Sequence, residues 1–180
     1  AAEERPPGIQ TMSVQGPLAR TVADVRLALA AMSAADFRDP WWVPAPLVGE
    51  APQRPIRVAL SVDCHGSPAD PQVVAALRQA AAWLADAGYV VDEVALPGMG
   101  EAAALWDLLA QGEARVFMKD AIERLGDEGI RRAFGFMIAG TPGFTTEEFM
   151  RALARRSTLV RRWQQFMQTY PLVLCPVSGE

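Results

Sequence analysis

Asp63-Cys64-His65 is the first place in this chain where groups suited to chemistry stand together. A thiol beside an imidazole could form a nucleophile–base pair, if the two came within hydrogen-bond reach and a third group oriented the ring. Neighbouring residues of an extended chain point to opposite faces, which works against that bond. His65 is also the only histidine, so no second imidazole can act as base. The triplet reads as a surface histidine beside a half-buried cysteine. It follows a strand, and the carboxyl ends of strands are where open α/β sheets bind ligands. Cys64 and Cys175 are the only cysteines. They suggest no disulfide framework, and a structural zinc site, which draws on roughly four nitrogen or sulfur ligands, is not expected.

Acids are the next candidates. Glu101, Asp107, Glu113, Asp120 and Glu123 lie on one helical stretch, and Glu113 and Asp120 are spaced to share a face as a general acid and base would. Acids scattered along a helix more simply form a solvated face, so no catalytic residue is assigned among them. Arg151, Arg155, Arg156, Arg161 and Arg162 cluster near the end of the chain, with Glu147 four and Glu148 three residues before Arg151. That spacing favours a salt-bridged exposed face over an anion site.

Phe134, Phe136, Met137, Phe144 and Phe149 form an apolar group broken by Gly135, Gly140 and Gly143. Helical spacing makes such residues core. A glycine-punctuated aromatic segment can also wall an apolar ligand pocket, and Phe134, Met137 and Phe144 are the candidates for one. The chain contains no G-x-G-x-x-G, no P-loop and no G-x-S-x-G, which removes the commonest nucleotide-binding and serine-hydrolase signatures.

These residues need elements to position them. Residues 1–16 read as a loop, punctuated by Pro6-Pro7-Gly8 and Gly16. A helix is expected within 17–34: Thr21 can cap it, Asp24 follows three residues on, and Val22, Val25, Leu29 and Met32 share a face. Residues 36–55 form a proline-rich connector containing Trp41-Trp42. Such a stretch could be a ligand for an SH3-type domain, but its place between a helix and a strand favours a surface loop whose tryptophans pack down on the domain.

Residues 56–96 read as strand, helix and strand. Ile56 to Val62 is the first strand, Asp70 caps a helix that starts with Pro71, Gly88 stops it, and Tyr89 to Leu96 is the second strand. That order implies a right-handed βαβ unit and a parallel sheet. Residues 100–170 are helical, over about 101–121 with Gly112 as an interruption, over 127–139, and from the box Thr145-Thr146-Glu147-Glu148 to Tyr170. A last strand covers 172–176.

The 180 residues suit one domain or a large part of one, and 51% hydrophobic with 21% charged residues can bury a core. The net charge of −4 gives no footprint for nucleic acid. No apolar run is long enough to span a membrane, and the first residues carry no signal-peptide core, so a cytoplasmic location is expected. The chain lacks an initiator methionine and its last strand has no covering segment, which together suggest a fragment.

The run Ser13-Val14-Gln15-Gly16-Pro17-Leu18-Ala19-Arg20-Thr21-Val22-Ala23-Asp24 resembles the segment that follows the active-site region of amidase-signature enzymes. The likeness continues through Asp39-Pro40, the strand and helix ending at Gly88, the strand before Pro97, Glu113-Ala114, and the closing Leu172-Val173-Leu174-Cys175-Pro176. It covers nearly the whole chain, and its specific part is 13–24. The resemblance implies an α/β/α layered domain around a mixed, partly parallel sheet flanked by helices. It implies hydrolysis of carboxylic amides through an acyl-enzyme intermediate, with no metal or cofactor. The family's serine nucleophile, second serine and lysine base lie before the Gly-Pro-Leu-Ala-Arg segment. Ser13 is not preceded by glycines and Lys119 is the only lysine, so no catalytic residue is carried over and the chain alone is expected to be inactive.

In the glutamyl-tRNA amidotransferase branch of the family an Arg-Arg pair lies near the substrate. Arg131-Arg132 is similar to it, which adds Arg132 to the pocket candidates. The partner expected is a small amide, with no nucleic acid and no membrane. The contrasting readings are a non-catalytic binding module that forms a homodimer through exposed sheet edges, the A-subunit type of such an amidotransferase, and a thiol enzyme built on Cys64.

Overall fold

Val58, Ala59 and Leu60 are almost fully buried, and the reason is their place in the middle strand of a sheet. In the computed structural model, which describes residues 5–50, 53–64, 67–140 and 143–178, β1 (Arg57–Leu60) lies between β4 (Val90–Glu93) and β5 (Leu172–Leu174). Both pairings are parallel, with Val58 opposite Val91 and Leu172. A central parallel strand is covered on both faces, so an unbroken apolar run is what the position demands. β2 (Asp63–Cys64) and β3 (Ser67–Pro68) form a separate short antiparallel pair.

The helix between β1 and β4 is α3 (Pro71–Asp86). Asp70 accepts from the Gln72 N–H at 2.7 Å, Pro71 occupies the first turn, and Gly88 follows the helix at φ +87°. Each of these three end signals is legible in the sequence. At the start of the sheet, Arg57 of β1 donates to Asp92 of β4 at 2.7 Å and lies over the Tyr170 ring at 5.2 Å. One guanidinium thereby joins residues that precede or belong to all three strands.

Two compact units result, one from residues 1–11 with 53–180 and the other from 12–52. In the second, α2 (Val22–Met32) starts where Thr21 accepts from the Asp24 N–H at 3.1 Å. No regular element follows α2 within 33–50. The Trp42 indole donates to the Ser33 carbonyl at 3.1 Å, and Trp41 and Trp42 are 58% and 40% exposed.

The first unit begins with a difference from the sequence reading. A loop was expected over 1–16, whereas Pro7–Met12 is a helix, α1. Pro7 opens it, and the amide hydrogens that a helix start leaves unbonded find a partner far along the chain. The helical part then runs through α4 (Met99–Trp106), a π-helical turn (Asp107–Gln111), α5 (Gly112–Phe117), α6 (Lys119–Leu125), α7 (Glu128–Ala139) and α8 (Thr146–Met167). The single stretch expected over about 101–121 is thus divided by the π turn and by a break at Met118. The extra residue of a π turn shifts the register of the residues after it. Phe117 and Met118, which follow the π turn, are 61% and 51% exposed. At α8 the expected capping box is present in both directions, Thr145 N–H to Glu148 at 2.7 Å and Glu148 N–H to Thr145 at 3.2 Å. Among the described residues no helix is long and apolar enough to cross a membrane.

Candidate functional site

Glu113 is the buried acid of this fold. It stands four residues after Leu109 and eight after Leu105, on the inward stripe of the helical stretch, and its exposure is 2%. A carboxylate in such a place is costly unless hydrogen bonds replace its water. Here two backbone donors do so: the Gly8 N–H reaches one oxygen at 2.7 Å and the Ile9 N–H the other at 3.0 Å. Both donors belong to the first turn of α1, whose dipole also favours a negative charge at that end. At the other end, the Arg156 guanidinium of α8 donates to the Thr11 carbonyl. The short helix is held by an acid at its amino end and a base at its carboxyl end, the arrangement its dipole favours.

Two glycines make the approach close. A Cβ on Gly8 would lie 3.0 Å from the Glu113 carboxyl carbon and both of its oxygens. A Cβ on Gly112 would meet Phe144 Cε1 at 2.1 Å, so the Phe144 ring sits directly on the backbone beside Glu113. Phe144 in turn stacks on Phe149 with centroids 5.5 Å apart. Gly112, read from the sequence as an interruption, is a contact surface.

Next to this junction lies an apolar cavity of about 340 Å³. Ile9 of α1, Trp106 of α4, Met118, Ile122 of α6, and Phe134 and Met137 of α7 contribute to its wall. Gln111 also lines it, and its amide donates to Asp107 at 2.6 Å. Such a space suits an uncharged ring or hydrocarbon group.

The sequence candidates separate. Phe134 is 7% exposed and lines the cavity with Met137. Phe144 does not line it, because its ring is occupied with Gly112 and Phe149. Arg131 and Arg132 are exposed on α7, and neither lines the cavity. Glu113 and Asp120 do not form an acid–base pair: Glu113 is buried on α5 with both oxygens engaged by α1, while Asp120 is exposed on α6. Asp63 accepts from the Ser61 hydroxyl at 3.0 Å after β1. His65 and the Cys64 side chain lie outside the described residues.

Three of the five arginines in the cluster belong to an ion-paired face. Arg151 pairs with Glu147 at 2.7 Å, and Glu101 takes Arg155 and, at 3.1 Å, Arg162. The hydrogen bond from Arg155 holds the Glu101 carboxyl below its ordinary range. Arg156 differs from these three, since its partner is the α1 carbonyl. Sequence reasoning named Glu113 but read it as part of a solvated face. The signal was available: an acid at i+4 from Leu109 on an apolar stripe, flanked by Gly112 and Ala114, is out of place on a solvated face.

A profile of the family described as Amidase matches residues 6–180. An indoleacetamide hydrolase of Bradyrhizobium diazoefficiens is 44% identical over 178 residues, which cover 99% of this chain and 34% of that protein. A second, from Bradyrhizobium japonicum, is 43% identical over 99% of this chain and 38% of its own length. The A-subunit of a glutamyl-tRNA(Gln) amidotransferase from Acidothermus cellulolyticus is 33% identical over 73% of this chain and 28% of its own length. The chain spans about a third of the length of the two curated Bradyrhizobium relatives.

Proposed function

This chain belongs to the amidase family, and from that premise we propose that it serves an amide hydrolase that cleaves a small carboxylic amide through an acyl-enzyme intermediate. The chain contributes a parallel sheet, the helices on it and part of the acyl-side pocket, and no catalytic residue is assigned within it. The observation that carries this reading is 44% identity, across 99% of the chain, to a protein named for hydrolysis of indoleacetamide. The cavity walled by Phe134 and Met137 supports the same class, because an arylacetamide presents an uncharged ring to such a surface. A cytoplasmic setting and a small-molecule partner complete the proposal, and the net charge of −4 gives no basic footprint for nucleic acid.

The test is turnover by the protein that carries this chain. Ammonia release from indole-3-acetamide is expected, together with labelling by a serine-directed fluorophosphonate at a site outside these 180 residues. Labelling within them would contradict the assignment. Transfer of ammonia from glutamine to a charged tRNA would instead favour the amidotransferase reading. A stable homodimer with neither activity would favour the non-catalytic module, for which the outer strand β5 is the candidate edge.

A further inference from the structure

We propose that Glu113 is a positioning residue, whose buried carboxylate seats α1 as a wall of the apolar cavity and so sets how tightly an uncharged aromatic group is held there. The substrate class rests on the amide-hydrolase reading; the seating of α1 rests on geometry alone.

Four observations converge. Both Glu113 oxygens are spent on the Gly8 and Ile9 amides, at 2.7 and 3.0 Å. Charge-assisted bonds of this kind are among the stronger ones a fold can make, and they are stronger again where water is excluded. Gly8 carries no Cβ where one would stand 3.0 Å from the carboxyl group, so the close approach requires glycine. Arg156 holds the other end of α1 through the Thr11 carbonyl, which leaves the helix little freedom to shift as a body. Finally, Ile9 does two things: its amide bonds Glu113, and its side chain lines the cavity with Trp106 and Phe134. Any loosening at Glu113 is therefore passed directly to the cavity wall.

The ligand class follows from the lining. Ile9, Trp106, Ile122, Phe134 and Met137 offer apolar surface, and the Gln111 amide already donates to Asp107. At about 340 Å³ the space holds a bicyclic ring with room to spare. A charged group would lose its hydration there with little in return.

The experiment uses the protein that carries this chain, with indole as the binding probe, followed by ligand-observed NMR, and with indole-3-acetamide and acetamide as substrates. Glu113→Gln keeps the size but offers one acceptor where two N–H groups point. Indole binding is expected to weaken about tenfold. For indole-3-acetamide, KM should rise by about the same factor with kcat little changed, and kcat/KM should fall more than it does for acetamide. Gly8→Ala disturbs the same junction from the α1 side with the charge intact, and the same direction of change is expected. It decides the matter if Glu113→Gln does not fold. Equal indole affinity in wild type and both variants, no indole binding to wild type, or equal losses for the two amides would overturn the proposal. Glu113-dependent indole binding in a protein that hydrolyses neither amide would uphold the positioning role and sink the hydrolase reading instead.

Discussion

The sheet part of the molecule, residues 56–96, and the helical part, 99–167, were built by different rules. In the first, the main elements follow local patterns. The apolar run of β1 becomes a buried central strand, Asp70-Pro71 starts α3 and Gly88 ends it. In the second, the decisive residue breaks its pattern. Glu113 is a charged group on an apolar stripe, and its partners are backbone amides 105 and 104 residues away. Local rules place the elements; long-range bonds fix this junction. A sheet can be assembled from periodicity and caps, whereas the junction at Glu113 exists only when α1, α5 and α8 are all in place.

That contrast can be broken by removing the acid. Glu113→Ala leaves the Gly8 and Ile9 amides buried or half-buried without their acceptor, a loss of about 3 kcal/mol of stability by chemical denaturation. If the variant unfolded with wild-type stability, the junction would contribute nothing. Gly112→Ala tests the ring that lies against the same backbone. Its Cβ would fall 2.1 Å from Phe144 Cε1, and overpacking of this kind costs about 2 kcal/mol. Adding Phe144→Leu should recover part of the loss, and a strictly additive double variant would show that the ring and the glycine do not interact.

A smaller effect belongs to the sheet side. Asp70→Ala removes the cap of α3, for about 1 kcal/mol, and should leave indole binding untouched. A change in indole binding there would mean that the two parts are not separable in this way. The smallest effect is one of pH. Arg155 holds Glu101 below its ordinary value of 4.5, so this pair stabilises the fold above that pH and the contribution fades as pH falls through the lowered value. Glu148, lowered by its bond from the Thr145 N–H, behaves the same way. In Glu101→Gln the stability difference from wild type should shrink as pH drops below the ordinary carboxylate value of 4.5. A constant difference would contradict the ion pair.

Much of the fold was legible because its signals are short in range. The Thr21, Asp70 and Thr145 caps all lie within a few residues of what they control. The helix over Pro7–Met12 was not legible, because six residues opening on Pro7-Gly8 look like a loop until Glu113 supplies acceptors for their amides. The lining of the cavity was readable only in part. Phe134 and Met137 follow the helical period into the cavity, but Phe144 lies outside α7 and is drawn to Gly112, a contact that no spacing rule encodes. Arg132 was suggested by likeness rather than by pattern, and its side chain lies on the exposed face of α7.

Residue-resolved hydrogen exchange compares the two parts directly. In the wild-type protein the Gly8 and Ile9 amides should be protected, and in Glu113→Gln their protection should fall while that of Val58, Ala59 and Leu60 is unchanged. Unprotected Gly8 and Ile9 amides in the wild type, or protection that survives the substitution, would show that Glu113 does not hold α1.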